Sequence, residues 1–144
     1  MKIEHRLPTA MEFANLRIQT DWGVPDVDVI ETVLARSFSG VVAMEEGKAI
    51  GMARTVGDGH LILYLQDVVI AKAYRNRGIG KHLIQALLQA LDADCSPDCT
   101  VGLFAAIGQT GFYEGLGFKT RGNTAYGPGM HAPLSDLAKS DIGA

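Results

Sequence analysis

The residues best suited to chemistry lie in a short loop that is rich in glycine and arginine, with the sequence Arg75-Asn76-Arg77-Gly78-Ile79-Gly80. The apolar run from Leu61 to Ile70 precedes this loop, and leucine and isoleucine recur at helical spacing after it, so the loop joins a strand to a helix. The first turn of a helix has backbone N–H groups without intrahelical acceptors, and the helix dipole adds partial positive charge. Glycine lets the backbone approach a ligand, and Arg75 and Arg77 add full charges. The pattern therefore predicts a phosphate or pyrophosphate site.

The same loop resembles the Arg/Gln-x-x-Gly-x-Gly/Ala signature of the GCN5-related N-acetyltransferases, the GNAT family. In that family the loop wraps the pyrophosphate of acetyl-CoA, which is the cosubstrate. The strand before the loop splays from its neighbour so that its backbone binds the cofactor, and the matching residues here are Val68, Val69 and Ile70. The resemblance therefore implies an acetyl-CoA site made of these strand residues and the loop from Arg75 to Gly80.

A second motif lies downstream, where Gly111-Phe112-Tyr113-Glu114-Gly115-Leu116-Gly117-Phe118 resembles the family's Phe/Leu-Tyr-x-x-x-Gly-Phe ending. Family members have a tyrosine at the position of Tyr113, close to the cofactor sulfur, where it commonly protonates the leaving thiolate. An unperturbed tyrosine has a pKa near ~10 and is protonated at neutral pH. The resemblance makes Tyr113 the expected catalytic acid, and the alternative is a core ring whose hydroxyl reaches the surface.

The other two requirements of the reaction are a donor for the thioester carbonyl and a base for the amine. The resemblance assigns the carbonyl donor to a backbone N–H of the strand, at Val69 or Ile70. Family members place a glutamate, or a chain of waters, along this strand, but the strand contains no glutamate here. It offers Tyr64 and Gln66 on one face and Asp67 on the other, because side chains alternate along a strand. No base is assigned.

The elements that must position these motifs follow in order along the chain. Lys2 to Arg6 alternates and predicts a first strand, and Thr9-Ala10-Met11-Glu12 has the form of a capping box that starts a helix. Turn residues after Asp21 end that helix, and Asp26 is expected to cap a second one. Two helices are therefore predicted between the first two strands.

Three apolar segments then predict an antiparallel meander: Val41 to Met44, Ala49 to Val56, and Leu61 to Ile70. After the phosphate loop and its helix, Thr100 to Ala105 predicts a buried strand that lies parallel to the third segment through the helical crossover. A short helix from Gly108 to Leu116, a strand that starts at Phe118 and a last strand near Met130 complete the prediction.

This order agrees with the GNAT fold across nearly the whole chain. The predicted class is α/β (α+β), with a mixed, mostly antiparallel central sheet, a splayed pair of parallel strands and about four helices. A chain of 144 residues suits one domain, which we expect at residues 1–134 as a single acetyltransferase domain. Residues 135–144 are small and polar and are expected to form a frayed C-terminal tail.

Composition narrows the classes of partner. The chain is 47% hydrophobic and 20% charged with a formal net charge of −3, which is typical of a globular protein and argues against nucleic acid. The basic residues of the loop form a short group with little aromatic interleaving beyond Tyr74. No leader-like segment follows Met1 and no run of about 18 apolar residues occurs, so we expect a cytoplasmic protein without membrane contact. Cys95 and Cys99 predict free thiols and no metal site.

The predicted function is transfer of acetyl from acetyl-CoA directly to a primary amine, with a small molecule favoured as acceptor. In the family, the loop between the first two helices and the last hairpin shape the acceptor site. Here these are Trp22 to Asp26 and Gly122 to His131, and three of their side chains could line an amine pocket: Trp22, Tyr126 and Met130.

Three other interpretations compete with this function. A noncatalytic acyl-CoA binding or sensing domain would keep the loop from Arg75 to Gly80 without needing Tyr113, and a protein N-acetyltransferase would use a different acceptor. A nucleotide phosphate site is disfavoured because the lysine-serine/threonine ending and the Gly-x-Gly-x-x-Gly spacing are absent. Many relatives are dimers, so the resemblance also allows a homodimer.

Overall fold

The structure, a computed structural model, describes residues 1–138. These residues divide into two compact units, one from Met1 to Phe104 and one that begins at Ala105. The five strands found in the described residues all belong to the first unit and form one sheet, in the order β1-β2-β3-β4-β5. They are β1 (Lys2–Glu4), β2 (Ser39–Glu45), β3 (Lys48–Gly57), β4 (Ile62–Ile70) and β5 (Thr100–Gly102).

Neighbouring strands from β1 to β4 are antiparallel, whereas β4 and β5 are parallel. Three helices complete the first unit: α1 (Ala10–Arg17), α2 (Val27–Ala35) and α3 (Ile79–Asp94). Helices α1 and α3 pack on the sheet, and α2 packs on α1. The predicted mixed sheet, its antiparallel meander and its helical crossover are therefore confirmed.

The core of the first unit follows the two periodicities of the sequence. Along β4 every second residue is buried, and this set consists of Leu63, Leu65, Asp67 and Val69. Along α3 the buried positions recur every three or four residues, as they must on one face of a helix. These positions are Ile79, Leu83, Ile84, Leu87 and Leu91. The helix that follows the loop is therefore anchored along its whole length.

The predicted capping box at the start of α1 is confirmed. The N–H of Glu12 donates to Oγ1 of Thr9 at 3.1 Å, and the N–H of Thr9 donates to Oε1 of Glu12 at 2.9 Å. Arg6 also donates to both oxygens of the Glu12 carboxylate, at 2.8 and 2.9 Å. These hydrogen bonds from Arg6 lower the pKa of Glu12 from 4.5 to about 2. At α2, by contrast, Asp26 occupies the N-cap position but its side chain makes no capping hydrogen bond.

The second unit differs from the prediction. It contains two short helices, α4 (Thr110–Glu114) and α5 (Leu134–Ala138), which bring the described α-helices to five. The strands expected from Phe118 and near Met130 were wrong, because the described chain forms no strand after Gly102. This stretch is mostly exposed and rich in glycine and proline, so it lacks an apolar face to bury in a sheet. Residues 139–144 of the predicted tail lie outside the described residues.

The predicted strand from Thr100 to Ala105 is also shorter and less buried than expected. Only Thr100 to Gly102 pairs with β4, and none of these three residues is fully buried. Within residues 1–138, no helix is long and apolar enough to cross a membrane. Cys95 and Cys99 are free thiols, as predicted.

Candidate functional site

The parallel strands β4 and β5 pair over only three residues. Ile62, Leu63 and Tyr64 are in register with Thr100, Val101 and Gly102, in that order. From residue 65 to residue 70, the β5 side of β4 has no strand partner in the described chain. Along this edge the predicted residues Val68, Val69 and Ile70 therefore lack a second strand partner, which is consistent with the predicted splay, although the carbonyl of Ile70 already accepts a hydrogen bond from Nε of Arg75.

A β-bulge bends β4 at the start of this open edge. Arg54 pairs with Gln66 and Met52 pairs with Val69, so two residues of β4 stand opposite one residue of β3. The first of the two, Asp67, has a φ of 53°, in the left-handed region that residues other than glycine rarely adopt. Such bulges redirect the strand that follows them. The bulge therefore contains Val68 and sets the direction of Val69 and Ile70, the other two residues predicted to bind the cofactor.

The side chain of Asp67 is held inside the protein by two arginines. Nη1 of Arg17 donates to Oδ1, and Nε of Arg54 donates to Oδ2 at 2.7 Å. The Asp67 side chain is 1% exposed. Because both of its oxygens are engaged by guanidinium groups, this carboxylate is a structural partner and is not available as the base for the amine.

The two other polar residues of β4 do not supply a base either. Tyr64 is half-buried, with its ring edge-on to Phe104 at a centroid distance of 5.2 Å. Burial raises the pKa of Tyr64, so its hydroxyl stays protonated at neutral pH. Gln66 carries no titratable group. Among Tyr64, Gln66 and Asp67, β4 therefore offers no free side-chain base for the amine.

The loop after β4 has the geometry of an anion site. A 3-10 turn from Lys72 to Tyr74 leads into it, and both Asn76 and Gly78 have positive φ, 62° and 78°. Helix α3 begins at Ile79, directly after Gly78 at the N-cap. In the described part of the chain, the backbone N–H groups of residues 76–81 donate to no acceptor. Six N–H groups at a helix N-terminus are therefore available to phosphate oxygens.

Gly78 is favoured in this loop by its backbone conformation. Its φ of 78° is strained for any residue with a Cβ atom, and a Cβ built there would meet nothing within 4 Å. The space above Gly78 is therefore open, as close approach of a diphosphate requires. The residues present fit the pyrophosphate of acetyl-CoA on this observation, and the predicted site residues Asn76, Arg77, Gly78, Ile79 and Gly80 all belong to the loop or the first turn of α3.

Arg75 has an internal role that the sequence did not reveal. Its Nε donates to the carbonyl of Ile70 at 2.9 Å, and its Nη2 donates to the carbonyl of Gln19 at 3.3 Å. The side-chain oxygen of Gln19 in turn accepts the N–H of Lys72 at 2.8 Å. Arg75 therefore shapes the loop and ties it to the end of α1. Arg77 instead lies over the ring of Tyr74, at 5.3 Å from its centroid.

Tyr113 belongs to the second unit, on helix α4. Its half-buried ring is edge-on to Phe112, at a centroid distance of 5.0 Å, and to Phe118 at 5.9 Å. The carbonyl of Tyr113 accepts the N–H of Phe118 at 3.1 Å, which closes the turn after the helix. The aromatic cluster fixes the ring, as a positioned acid requires, while the catalytic role of Tyr113 stays a prediction.

The residues predicted to line an amine pocket are all exposed. In the first unit, Trp22 is 46% exposed and Nη2 of Arg17 donates to its carbonyl at 3.4 Å. In the second unit, Tyr126 lies beneath Arg121, at 5.3 Å from its guanidinium, and Met130 is 88% exposed. Among the described residues, no group of three or more side chains could hold a metal ion.

Comparison with known proteins places these motifs in a family. The model of a family described as an acetyltransferase (GNAT) domain matches residues 25–132. GCN5-related N-acetyltransferase 2, chloroplastic, of Arabidopsis thaliana is 36% identical over 76 residues, which cover 52% of this chain and 28% of that protein. Histone acetyltransferase TAP1 of Glycine max is 33% identical over 85 residues, 58% of this chain and 36% of that protein. The chain thus spans about a third of these curated relatives.

The solved structures agree with the fold. A GNAT family acetyltransferase from Streptococcus pneumoniae TIGR4 superimposes with a TM-score of 0.77 at 22% sequence identity. The match covers 92% of this chain and 96% of that chain. The likeness therefore extends over nearly the whole length of both chains.

Proposed function

The chain belongs to the GNAT acetyltransferase family, and on that premise we propose that it moves acetyl from acetyl-CoA directly to the primary amine of a small molecule. The observation that carries this proposal is the set of six unpaired N–H groups of residues 76–81, at the N-terminus of α3. A diphosphate suits such a set because charge-assisted hydrogen bonds to backbone N–H groups are strong and directional.

Binding of the rest of acetyl-CoA is assigned to the open edge of β4. Backbone of Val68, Val69 and Ile70 would bind the arm that leads from the pyrophosphate to the thioester. An N–H at Val69 or Ile70 would donate to the thioester oxygen and stabilise the negative charge that develops there. The bulge at Asp67 supports this assignment, because it changes the direction of β4 just before Val69 and Ile70, which still pair with β3 on their other side.

The chemistry needs no enzyme nucleophile. The amine nitrogen attacks the thioester carbon, a C–N bond forms, and the C–S bond breaks as the sulfur leaves with its electron pair. Tyr113 would donate its hydroxyl proton to the departing thiolate. The amine loses one proton in the same reaction, and the side chains of β4 provide no base for it. Water therefore accepts that proton in this proposal, and a proton from water restores the Tyr113 hydroxyl.

The acceptor is the least constrained part of the proposal. An exposed aromatic ring at Trp22 suits a small amine, because a cation is attracted to the face of an indole. One relative is named a histone acetyltransferase, which favours a protein lysine as the second candidate acceptor. The family model extends from residue 25 in the first unit to residue 132 in the second, which supports one functional domain over residues 1–134. A cytoplasmic location and a homodimer stay predictions.

Thiol release from acetyl-CoA tests the proposal directly. The acceptor panel contains arylalkylamines, polyamines, aminoglycosides, amino acids and a histone-type lysine peptide, and CoA binding is measured in parallel by calorimetry. Turnover with one small-amine class is expected. Turnover with the peptide alone would show that the acceptor is a protein lysine. CoA binding without turnover would favour a sensing domain. Absence of CoA binding would contradict the proposal.

The variant Tyr113→Phe tests the acid. We expect turnover to fall by roughly 100-fold, within the range for removal of a general acid, while CoA affinity stays unchanged. Phenylalanine keeps the edge-on ring packing, so the unfolding midpoint should also be retained and serves as the control. Unchanged turnover would remove Tyr113 from the mechanism.

A further inference from the structure

The carboxylate of Asp67 is connected to both ends of helix α2. Before the helix, Arg17 binds Oδ1 of Asp67 and also donates through Nε to the carbonyl of Gly23, at 2.7 Å. After the helix, Arg54 binds Oδ2 and also donates to the hydroxyl of Ser37 at 3.2 Å. One buried side chain on the bulge of β4 therefore holds the start and the end of the segment from residue 22 to residue 37.

Helix α2 has few other attachments. Only Ile30 and Leu34 are buried along its nine residues, and Val27 and Val29 are 57% and 49% exposed. The N-cap residue Asp26 makes no side-chain capping bond, so the helix start depends on what precedes it. A weakly packed segment of this kind takes its position from whatever fixes its ends.

Arg17 is the more exposed and more versatile of the two arginines. Its side chain is 18% exposed and its guanidinium lies 5.7 Å from the Trp22 ring and 5.8 Å from the Phe13 ring. It donates from three different nitrogens, to Asp67, to Gly23 and, at 3.4 Å, to the carbonyl of Trp22. The planar guanidinium has five N–H donors in a fixed fork, so it can serve three acceptors that lie in different directions.

We infer that Arg17 is a positioning residue for amine binding, which acts by fixing the segment that carries Trp22 to the cofactor-binding strand through Asp67. This inference rests on the proposed function, because it takes the connection between α1 and α2 as one wall of the amine site. Arg17 itself touches neither the amine nor acetyl-CoA in this account. Its effect on the amine comes only through the position of the Trp22 backbone and ring.

The variant Arg17→Lys separates this role from general stability. Lysine keeps a positive charge beside Asp67, whose second oxygen stays bound to Arg54, but its compact ammonium cannot reach all three acceptors. We expect KM for the amine to rise by roughly tenfold, because a segment that Arg17 no longer holds must be ordered again when the amine binds. KM for acetyl-CoA and kcat should stay within about twofold, because uniform binding of the amine alone is weakened.

Arg36→Lys is the matched control. Arg36 is exposed and lies directly after α2. Its replacement by lysine is the same chemical change, made at a residue that does not contact Asp67. Both variants are tested with the amine that wild type turns over fastest. Arg36→Lys should leave all three kinetic constants unchanged. An equal rise of both KM values in Arg17→Lys, or no change in either, would overturn the inference.

A second measurement does not depend on turnover. Trp22 is the one tryptophan of the chain, so its fluorescence reports on this segment alone. We expect acrylamide to quench Trp22 more strongly in Arg17→Lys than in wild type or Arg36→Lys. If wild type turns over no amine, the proposed function fails and quenching decides alone: stronger quenching supports the positioning of the segment by Arg17, and equal quenching overturns it.

Discussion

The site around Asp67 and the loop from Arg75 to Gly80 lie in the same unit. Both offer hydrogen-bond donors to an oxygen anion, but the donors are different groups. Asp67 is an anion of the chain itself, 1% exposed, and two guanidinium groups bind it. Residues 76–81, in the loop and the first turn of α3, instead offer six backbone N–H groups that have no acceptor in the described chain. Arg75, which the sequence places in the anion site, uses its guanidinium on two backbone carbonyls.

In the proposed function, the chain separates its structural charge at Asp67 from the ligand-binding charge of the loop. Arginine side chains are long and mobile, so they suit an internal partner that holds them in place. Backbone N–H groups at a helix start are fixed by the helix, so they can bind a ligand without reorganisation. We therefore expect the structural site to control stability and the open site to control affinity.

The largest effect is expected from Asp67→Ala. This change leaves the guanidinium groups of Arg17 and Arg54, which are 18% and 13% exposed, without their shared anion. Removing one partner of a buried ion pair lowers the free energy of unfolding by roughly 3–5 kcal/mol. Because both arginines are partly exposed, we expect a loss at the lower end of this range, about 3 kcal/mol. Urea unfolding measures this loss.

Asp92→Ala is the control for this prediction, since Asp92 is an exposed carboxylate on α3. Its free energy of unfolding should stay within about 0.5 kcal/mol of wild type. If the two variants were equally stable, the ion pairs of Asp67 would not stabilise the fold as we expect.

The second effect concerns the open site. Gly78→Ala places a Cβ at a φ of 78°, so the loop must shift and its N–H groups lose their alignment. CoA affinity should fall by roughly 100-fold, equivalent to about 2.7 kcal/mol. Gly47→Ala is a matched control, because Gly47 has a φ of 76° with open space around it in the hairpin between β2 and β3. Calorimetry should show unchanged CoA affinity for that control, and similar losses in both variants would contradict a backbone-built site.

Glu12 is a second carboxylate that an arginine of the chain holds in place. Hydrogen bonds from Arg6 lower the pKa of this carboxyl from 4.5 to about 2. Its contribution to stability is therefore complete above the unfolded value of 4.5 and is lost as the pH falls toward 2. Glu12→Gln should reduce stability at pH 7 by roughly 1–2 kcal/mol, after allowance for solvent screening of the part-exposed Arg6.

The pH dependence makes this prediction specific. The difference between wild type and Glu12→Gln should shrink between pH 4.5 and about 2, where the wild-type carboxyl takes up its proton. Glu31→Gln, on the exposed side of α2, should show no such convergence. Thermal unfolding at several pH values provides the measurement, and a constant difference across that range would exclude the Arg6 pair as its cause.

The smallest effect is expected from Arg77→Met. The Arg77 guanidinium lies over the Tyr74 ring and forms no ion pair within the described residues, so it adds only exposed, screened charge to the loop. CoA affinity should fall by roughly threefold at low salt, and the difference from wild type should vanish at high salt. A larger loss, independent of salt, would show that side-chain charge and not backbone builds the site.

The sequence predicted the local backbone of the loop and the helix starts far better than it predicted the contacts of Asp67. A glycine loop before a helix, and a capping box such as Thr9 to Glu12, are local patterns that read correctly without knowledge of distant residues. The contact between Arg17 and Asp67 joins positions 50 residues apart, and the alternation of β4 gives no sign of an inserted bulge residue. The strands predicted at Phe118 and Met130 failed because an apolar residue beside glycines does not show whether a partner strand exists.

The central claim is that backbone N–H groups of residues 76–81 bind the pyrophosphate of CoA. Amide chemical shifts, followed by NMR while CoA is titrated into the protein, test it most directly. We expect the amides of these six residues to shift more than the first-turn amides of the other helices, and we expect Gly78→Ala to need roughly 100-fold more CoA for the same shifts. Saturable CoA binding that leaves the amides of residues 76–81 unshifted would contradict the account.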